Sequence, residues 1–255
     1  MAERRFAHFL NLPPGSRVLY TMTLVVLGLG YLFAMIYIFE VHAGRDGKPG
    51  LSINDLVIAY SGSQKDTRLE AAIKGPMSGM LHKEDSAKII TWVRDGSKRE
   101  DFKTKVAPIL QEHCLSCHDG SNPHIPDLKG YNNVMKTVQL DTGMNISTLV
   151  RVSHIHLFGM TFIFFVISLI FVHAYVRPPW LKSAIIVTPF VAIILDISAW
   201  YLTKVYTPFA WMVMIGGGFM GLAFAIQWIV SIYQMWFYKL PPEITEKGGE
   251  LPRND

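Results

Sequence analysis

Cysteine is scarce in this sequence, which contains only Cys114 and Cys117 among its 255 residues. A structural zinc site built on such a pair would need a second pair of cysteines, and none is present. A disulfide between the two thiols would close so short a loop that it would add little stability. A thioredoxin-like redox pair requires a βαβ context, which this sequence lacks. A zinc site, a stabilising disulfide and a thioredoxin-like redox pair are therefore not expected, and the two cysteines should have another function.

Charge is scarce as well, because only 17% of the residues are charged whereas half are apolar. Together with a positive mean hydropathy of +0.26, this balance is typical of a membrane protein. The formal net charge of +4 is modest, and the basic residues are scattered rather than arranged in a stripe with interleaved aromatics. Nucleic acid is therefore not an expected partner. No acid–base constellation or nucleophile accompanies the cysteines, so an electron-transfer protein is expected before a stand-alone enzyme.

Four apolar runs are each long enough to cross a bilayer, which takes about 20 residues. They cover approximately residues 18–39, 152–176, 183–202 and 209–238. A polar stretch of about a hundred residues, the size of a domain, separates the first two runs. The sequence thus predicts a mainly α fold, a four-helix transmembrane bundle with a small α-helical insert between spans 1 and 2. The expected parts are a cytoplasmic segment (1–17), span 1 (18–40), the insert (41–147), spans 2 to 4 (148–240) and a polar cytoplasmic tail (241–255).

Basic residues beside the spans predict the orientation of the chain. Those that flank the presumed cytoplasmic ends are Arg4, Arg5, Arg17, Arg177, Lys182 and Lys239, whereas the short connection between spans 3 and 4 carries only Lys204. The positive-inside rule therefore places both termini in the cytoplasm and the insert outside the cytoplasmic membrane. An apolar run after two arginines can also mark a signal peptide, but this run is longer than a typical signal core. We interpret span 1 as an uncleaved anchor.

The two cysteines stand in the run Cys114-Leu115-Ser116-Cys117-His118, a C-x-x-C-H motif. This spacing lets both thiols form thioethers with the vinyl groups of one haem, while the adjacent histidine reaches the iron as its proximal ligand. The motif therefore predicts a covalently bound haem c held by Cys114, Cys117 and His118. Bacteria attach haem c on the outer side of the cytoplasmic membrane, so the motif and the charge distribution agree on a periplasmic insert.

The second axial ligand of the iron decides the chemistry of such a haem. A methionine raises the reduction potential, a second histidine lowers it, and an open position permits ligand binding. The sequence offers Met144 in the insert, and His154 or His156 at the start of span 2. Residues i and i+2 of a helix point about 200° apart, so the two histidines cannot both ligate one metal from a regular helix. The sixth ligand is therefore left open among these three residues.

A further metal or haem near the outer surface is a separate possibility. His42, at the outer end of span 1, is expected at about the depth of His154 and His156, so a b-type haem or a copper ion could use His42 with one of them. Asp196 lies within span 3, and a carboxylate inside a membrane is a functional candidate for that reason. We expect it to orient a histidine through a hydrogen bond.

Several local patterns carry predictions of their own. The apolar run at residues 56–60 indicates a short strand, and Ser147 or Thr148 is expected to cap the helix of span 2. The spacing Gly217-x-x-x-Gly221-x-x-x-Ala225 predicts a small-residue seam for close helix packing, and residues 216–218 could instead mark a kink.

The helix expected at residues 100–113 carries a family resemblance. Phe102, Val106, Ile109 and Leu110 stand at helical spacing immediately before the motif. An amphipathic helix running into C-x-x-C-H resembles the N-terminal helix of small monohaem c-type cytochromes. Taken whole, the four spans, the insert and the run Ser153-His154-Ile155-His156-Leu157-Phe158-Gly159 that opens span 2 resemble a group of bacterial membrane-bound cytochromes with a periplasmic haem-c insert.

The resemblance implies a membrane-anchored cytochrome that transfers electrons at the periplasmic face, as a subunit of a larger respiratory or photosynthetic complex. A quinol-linked donor or another cytochrome would be its redox partner. Two other functions stay open. One is a haem-based sensor or ligand-binding enzyme with an open sixth position, and the other is an accessory or assembly subunit whose haem is structural.

Overall fold

A computed structural model describes residues 8–123, 125–239 and 241 of the chain. The protein is mainly helical (72%), and the described residues contain no strand beyond an isolated antiparallel bridge between Thr67 and Leu140. Arg4, Arg5 and residues 242–255 of the tail predicted for 241–255 lie outside the described residues.

The α-helices follow one another along the chain, and the longest connection, residues 114–130, carries the C-x-x-C-H motif. They are α1 (Pro14–His42), α2 (Ile53–Ser61), α3 (Arg68–Lys74), α4 (Lys83–Arg94), α5 (Arg99–Asp101), α6 (Ala107–His113), α7 (Tyr131–Met135), α8 (Ile146–Phe171), α9 (Pro179–Val205) and α10 (Ala210–Trp236). Three-residue 3₁₀ turns occupy Phe9–Asn11, Ser78–Met80 and Thr207–Phe209. The segments Pro14–His42, Ile146–Phe171, Pro179–Val205 and Thr207–Trp236 are long and apolar enough to cross a membrane. The four predicted spans are thus confirmed as helices of membrane-crossing length, as in a four-span membrane protein.

The chain divides into two compact units. The membrane unit comprises the chain up to Met35, Val150–Ala199 and the chain from Trp211 onward. The insert unit comprises Ile36–Leu149 and Trp200–Ala210. The predicted insert therefore shares its unit with the end of α9 and the link to α10.

Helices α1 and α10 of the membrane unit approach closely because glycines face large aromatic side chains. Trp228 donates an indole hydrogen bond to a backbone carbonyl of α1 at 2.7 Å, and a Cβ at Gly28 would lie 2.9 Å from that nitrogen. A Cβ at Gly221 would lie 2.8 Å from the hydroxyl of Tyr31. Of the predicted small-residue seam, Gly221 lies at this close contact between the helices. Helix α10 continues unbroken through residues 216–218, so the kink considered there is not present.

Helices α3 to α7 build the core of the insert unit. Its buried apolar residues are Leu69, Ile73, Ile89, Trp92, Val93, Phe102, Val106, Ile109, Leu110, Leu128 and Val134. Helix α3 begins with a capping box, in which the Thr67 hydroxyl accepts from the Glu70 amide at 3.2 Å and the Glu70 carboxylate accepts from the Thr67 amide at 2.8 Å. Arg94 of α4 donates to the same carboxylate at 3.0 Å. This contact ties α3 to α4 beside the core.

The strand predicted for residues 56–60 is wrong, because Ile53–Ser61 forms helix α2. The Ser52 hydroxyl accepts from the Asp55 amide at 3.1 Å, and the Asp55 carboxylate accepts from the Ser52 amide at 2.8 Å. This capping box starts a helix and outweighs the strand propensity of the apolar run. The buried residues of α2 are Asp55, Leu56, Ala59 and Tyr60.

The helix predicted before the motif is confirmed, with one local widening. Helices α5 and α6 are joined by a π-helical turn, Phe102–Val106. Pro108 stands at the start of α6 and has no N–H for the carbonyl four residues earlier, so a regular α-helical ladder cannot run through this point. The wider turn absorbs the missing hydrogen bond and still keeps Phe102 and Val106 buried.

The cap predicted for span 2 is also corrected. Helix α8 begins at Ile146, and the Asn145 side-chain oxygen accepts from the Thr148 amide at 2.8 Å. The Ser147 hydroxyl donates to the same oxygen at 2.8 Å. Asparagine is as good a capping residue as serine, so the cap lies at Asn145 and not at Ser147 or Thr148.

Candidate haem attachment site

The C-x-x-C-H motif forms a tight turn at the end of α6. The Cys114 amide still donates to Leu110 of the helix at 2.8 Å, and the amides of Cys117 and His118 then donate back to the Cys114 carbonyl at 3.2 and 2.9 Å. Cys114 is half-buried, Cys117 is exposed, and both are free thiols. The helix end therefore brings two unpaired thiols and one imidazole to the same turn.

The ring of His118 is oriented by one hydrogen bond. Its Nδ1 lies 2.7 Å from the carbonyl oxygen of Pro126. A carbonyl only accepts hydrogen bonds, so Nδ1 is the donor, and in the neutral ring the lone pair is on Nε2. Metal-ligating histidines are commonly oriented by such a bond from the non-ligating nitrogen, which also makes the ligating nitrogen more basic. His118 is thus arranged as a single-nitrogen metal ligand.

The loop that carries Pro126 is held by carboxylates on either side. Asp127 accepts from the Lys129 amide at 2.7 Å and from the Asn133 side chain at 2.7 Å. The His118 carbonyl accepts from the Leu128 amide at 3.0 Å. These bonds fix the chain immediately after Pro126, and so they fix the carbonyl that faces the histidine.

Asp119 shapes the first part of the same loop. Hydrogen bonds from the Ser121 hydroxyl and amide lower the pKa of Asp119 below its ordinary value. The carboxylate is therefore charged at neutral pH beside the motif, and the left-handed conformation of Gly120, with φ of +85°, continues the turn.

Burial raises the pKa of the Cys114 thiol above its ordinary value. Redox-active C-x-x-C pairs need the opposite, a lowered pKa that yields a thiolate at neutral pH. The raised pKa of Cys114 therefore argues against a dithiol–disulfide enzyme, and it is compatible with a cysteine that forms a thioether.

The candidate sixth ligands lie in different surroundings. Met144 is fixed through its backbone, because its amide donates to the Ala59 carbonyl at 3.0 Å and its carbonyl accepts from Lys204 at 2.8 Å. Met135, at the end of α7, and Cys114 both pack against the buried core of the insert unit. The structure therefore adds a second methionine, Met135, to the candidates for the sixth ligand.

His154 and His156 belong to the membrane unit and differ in environment. His154 is exposed and meets Phe158 edge-to-face at 5.7 Å between ring centroids. His156 is half-buried, and its Nδ1 donates to the Val152 carbonyl of the same helix at 2.9 Å. This difference agrees with their opposed directions on the helix. Ligation of iron by either histidine stays a prediction.

His42 and Asp196 are both shielded from solvent. His42 is half-buried in the insert unit, and its Nδ1 has no hydrogen-bond partner among the described residues. Asp196 is 7% exposed and packs against Gly216, where a Cβ would lie 3.1 Å from the aspartate side chain. Within residues 8–123, 125–239 and 241, no group of three or more histidine, cysteine, aspartate or glutamate side chains could hold a metal ion. The additional haem b or copper ion stays a prediction.

Comparison with known proteins concerns the second half of the chain. A family described as a transmembrane helical domain matches residues 136–242. No curated protein and no solved structure matches the chain. The matched region contains α8, α9 and α10, whereas Cys114, Cys117 and His118 lie before it. The similarity supports a membrane protein. It gives no information about the C-x-x-C-H motif, which lies outside the matched residues.

Proposed function

We propose that this protein is a membrane-bound c-type cytochrome that transfers electrons at the periplasmic face of a bacterial cytoplasmic membrane. The observation that carries the proposal is the hydrogen bond from His118 Nδ1 to the Pro126 carbonyl, beside two free thiols at C-x-x-C spacing. A histidine oriented in this way, with its lone pair on Nε2, is what a proximal haem ligand requires.

Each residue of the motif has a distinct part in this proposal. Cys114 and Cys117 would hold the haem through the two thioethers, and His118 would ligate its iron through Nε2. Bound haem supplies an iron that cycles between the ferrous and ferric states. Pro126 keeps the imidazole in one orientation and, through its carbonyl, makes Nε2 a stronger donor, which favours the ferric state.

The wider context supports a subunit of a larger respiratory or photosynthetic electron-transfer complex. A single haem attached to the insert cannot relay electrons across a bilayer, so a quinol-linked donor or another cytochrome has to meet it from the same side. The charges beside the spans favour both termini in the cytoplasm and the insert in the periplasm.

Haem staining of the purified protein after denaturing electrophoresis tests the central claim. Replacing both Cys114→Ala and Cys117→Ala should abolish the covalent stain, because no thiol is left for a thioether. Ser116→Ala, at one of the two x positions of the motif, keeps both thiols, so it is the matched control and should retain the stain. A stain that persists in the double variant, or that is absent from the natural protein produced with haem-attachment machinery, would falsify the proposal.

Spectroscopy then separates the modes of action. A six-coordinate haem that does not bind carbon monoxide supports electron transfer, whereas carbon monoxide binding to the untreated ferrous protein supports a sensor or ligand-binding enzyme. Loss of a near-infrared methionine-to-iron band in Met144→Ala or Met135→Ala identifies a methionine ligand. If the spectrum changes only on replacement of His154 or His156, the ligand comes from span 2.

A further inference from the structure

The ammonium of Lys204, in the last turn of α9, lies where three segments of the insert unit meet. Its Nζ donates to the backbone carbonyls of Tyr60 at 2.8 Å, Thr142 at 2.9 Å and Met144 at 2.8 Å. An ammonium group has three N–H donors, so three carbonyl oxygens account for all of them.

Ordinary helix capping explains only one of these bonds. Tyr60 lies in the last turn of α2, where carbonyls lack a partner in their own helix and a lysine can serve them. Thr142 and Met144 belong to a different segment, the one that leads from the insert into α8. The same ammonium therefore joins two segments that are far apart in the sequence.

The backbones of these two segments are shaped for close contact. Gly62 and Gly143 have φ of +84° and +71°, a region that side chains other than that of glycine rarely adopt. A Cβ at Gly62 would overlap the carbonyl of Asp141, and a Cβ at Gly143 would overlap the carbonyl of Tyr60. Glycine at both positions is what allows the carbonyls to converge.

Hydrogen bonds complete the junction around the ammonium. The Asp141 carboxylate accepts from the amides of Ser63 and Gly143, both at 3.0 Å. The Ser61 hydroxyl donates to the carbonyl of Thr203, the neighbour of Lys204, at 2.6 Å. Two chain segments and the end of α9 are thus joined by backbone and side-chain bonds with the ammonium among them.

We propose that the carbonyls of Tyr60, Thr142 and Met144 form a monovalent-cation site that Lys204 fills from within the chain, and that this tethered ammonium fixes the junction of these segments within the insert unit. Converging backbone carbonyls are the ligands that proteins offer to potassium and similar weakly hydrated monovalent ions. The inference concerns the polypeptide alone, so it holds or fails independently of the haem.

The test is hydrogen–deuterium exchange, followed by mass spectrometry, of the full chain in lipid nanodiscs. Lys204→Met removes the ammonium and keeps an apolar stem of similar length. In choline chloride, amides at residues 59–63 and 141–146 should exchange about tenfold faster or more, because charge-assisted hydrogen bonds are lost. Potassium or ammonium chloride at the same ionic strength should restore most of the protection by filling the carbonyl site.

Two variants serve as controls. Lys182→Met removes an ammonium that also donates to backbone carbonyls, those of Val172 and Ala174 in the membrane unit, and should leave exchange at residues 59–63 and 141–146 unchanged. Gly143→Ala keeps Lys204 but forces the two backbones apart, so exchange should rise in the same segments and added potassium should not reverse it.

Unchanged exchange in Lys204→Met overturns the proposal that the lysine fixes this junction. Faster exchange that is equal in choline, potassium and ammonium overturns the cation site. If Lys204→Met folds only when potassium or ammonium is present, the site is supported. If it folds in none of the three salts, neither potassium nor ammonium replaces the lysine, and the cation site is rejected.

Discussion

His118 shows how much of the motif's chemistry depends on one backbone atom. The Pro126 carbonyl accepts a hydrogen bond from Nδ1 of His118. The position of this carbonyl depends on Asp127, whose carboxylate accepts from the Lys129 amide in the same loop. The C-x-x-C-H pattern identifies the histidine from sequence, but it does not say which group orients it. Two prolines, Pro123 and Pro126, follow the motif closely, and only the structure distinguishes the one that accepts the hydrogen bond.

Asp127→Ala should raise the reduction potential of the haem protein. The change removes the acceptor for the Lys129 amide and the Asn133 side chain, which loosens the Pro126 carbonyl and weakens its bond to His118. A less basic imidazole stabilises ferric iron less, so we expect a rise on the order of tens of millivolts. Potentiometric titration of the haem band measures it. Asp119→Ala removes a carboxylate from the same loop without touching the segment after Pro126, so it measures the effect of the lost charge alone. A shift as large as that of Asp127→Ala would contradict the assignment.

Protonation of His8 should make the membrane unit less stable at acidic pH. Its Nδ1 accepts from the Leu10 amide at 3.2 Å, so Nε2 donates to Gln234 at 3.1 Å and the ring is neutral. Burial lowers the pKa of His8 below its ordinary 6.5, and the nearby charges of His173 and Lys182 act in the same direction. The unfolded chain then binds a proton that the folded chain does not, and stability falls as the pH drops below about 6.5.

The thermal unfolding midpoint in detergent, compared at pH 7.5 and 5.5, measures this effect. His8→Asn keeps a side-chain acceptor for the Leu10 amide and cannot titrate, so the loss of stability on acidification should be smaller than in the natural protein. His82→Asn, at an exposed histidine of the insert unit, should leave that loss unchanged. An acid response that is the same in His8→Asn and in the natural protein would rule out this role.

The elements of the fold were predictable wherever a regular apolar repeat sets the structure. The four spans and the helix before the motif follow from length and spacing, and the structure confirms them. The strand predicted for residues 56–60 is wrong because a short apolar run does not distinguish a strand from a helix, and the capping box at Ser52 favours the helix. Pro108 could have indicated the π-helical turn, since proline inside a helical repeat always leaves a carbonyl without its donor.

The junction at Lys204 shows a limit of sequence analysis at the level of elements. A lysine in a short loop between two spans indicates topology, and its acceptors are backbone carbonyls, which no side-chain pattern marks. Two of them lie 144 and 62 residues away along the chain. Only the left-handed glycines Gly62 and Gly143 could have suggested that two segments come together closely.

At the scale of the whole molecule, the family similarity covers the second half of the chain and does not reach the motif. The transmembrane family matches residues 136–242, and the C-x-x-C-H motif lies outside this range. The membrane character therefore has support from composition, helix length and similarity together. The haem is a proposal that rests on the motif and on the geometry of His118, so it can fail while the membrane character holds.

The contacts of the membrane unit bear on its topology. Arg17, near the start of α1, lies 4.4 Å from the ring centroid of Trp236 at the end of α10. Tyr20 stacks on His173, just after α8, at 5.8 Å between centroids. The start of span 1 and the ends of spans 2 and 4 thus lie at one end of the unit. Arg177, Lys182 and Lys239 flank these same span ends in the sequence.

This clustering of positive charge predicts that one end of the membrane unit faces the cytoplasm. Green fluorescent protein fused after residue 255 should fluoresce, since it folds in the cytoplasm, whereas alkaline phosphatase in the same place should be inactive. A chain cut after residue 145 and fused to alkaline phosphatase should be active, because only span 1 precedes the enzyme and the insert is carried outside. The reverse pattern at both positions would place the motif in the cytoplasm, where haem c is not attached, and would remove the basis of the proposed function.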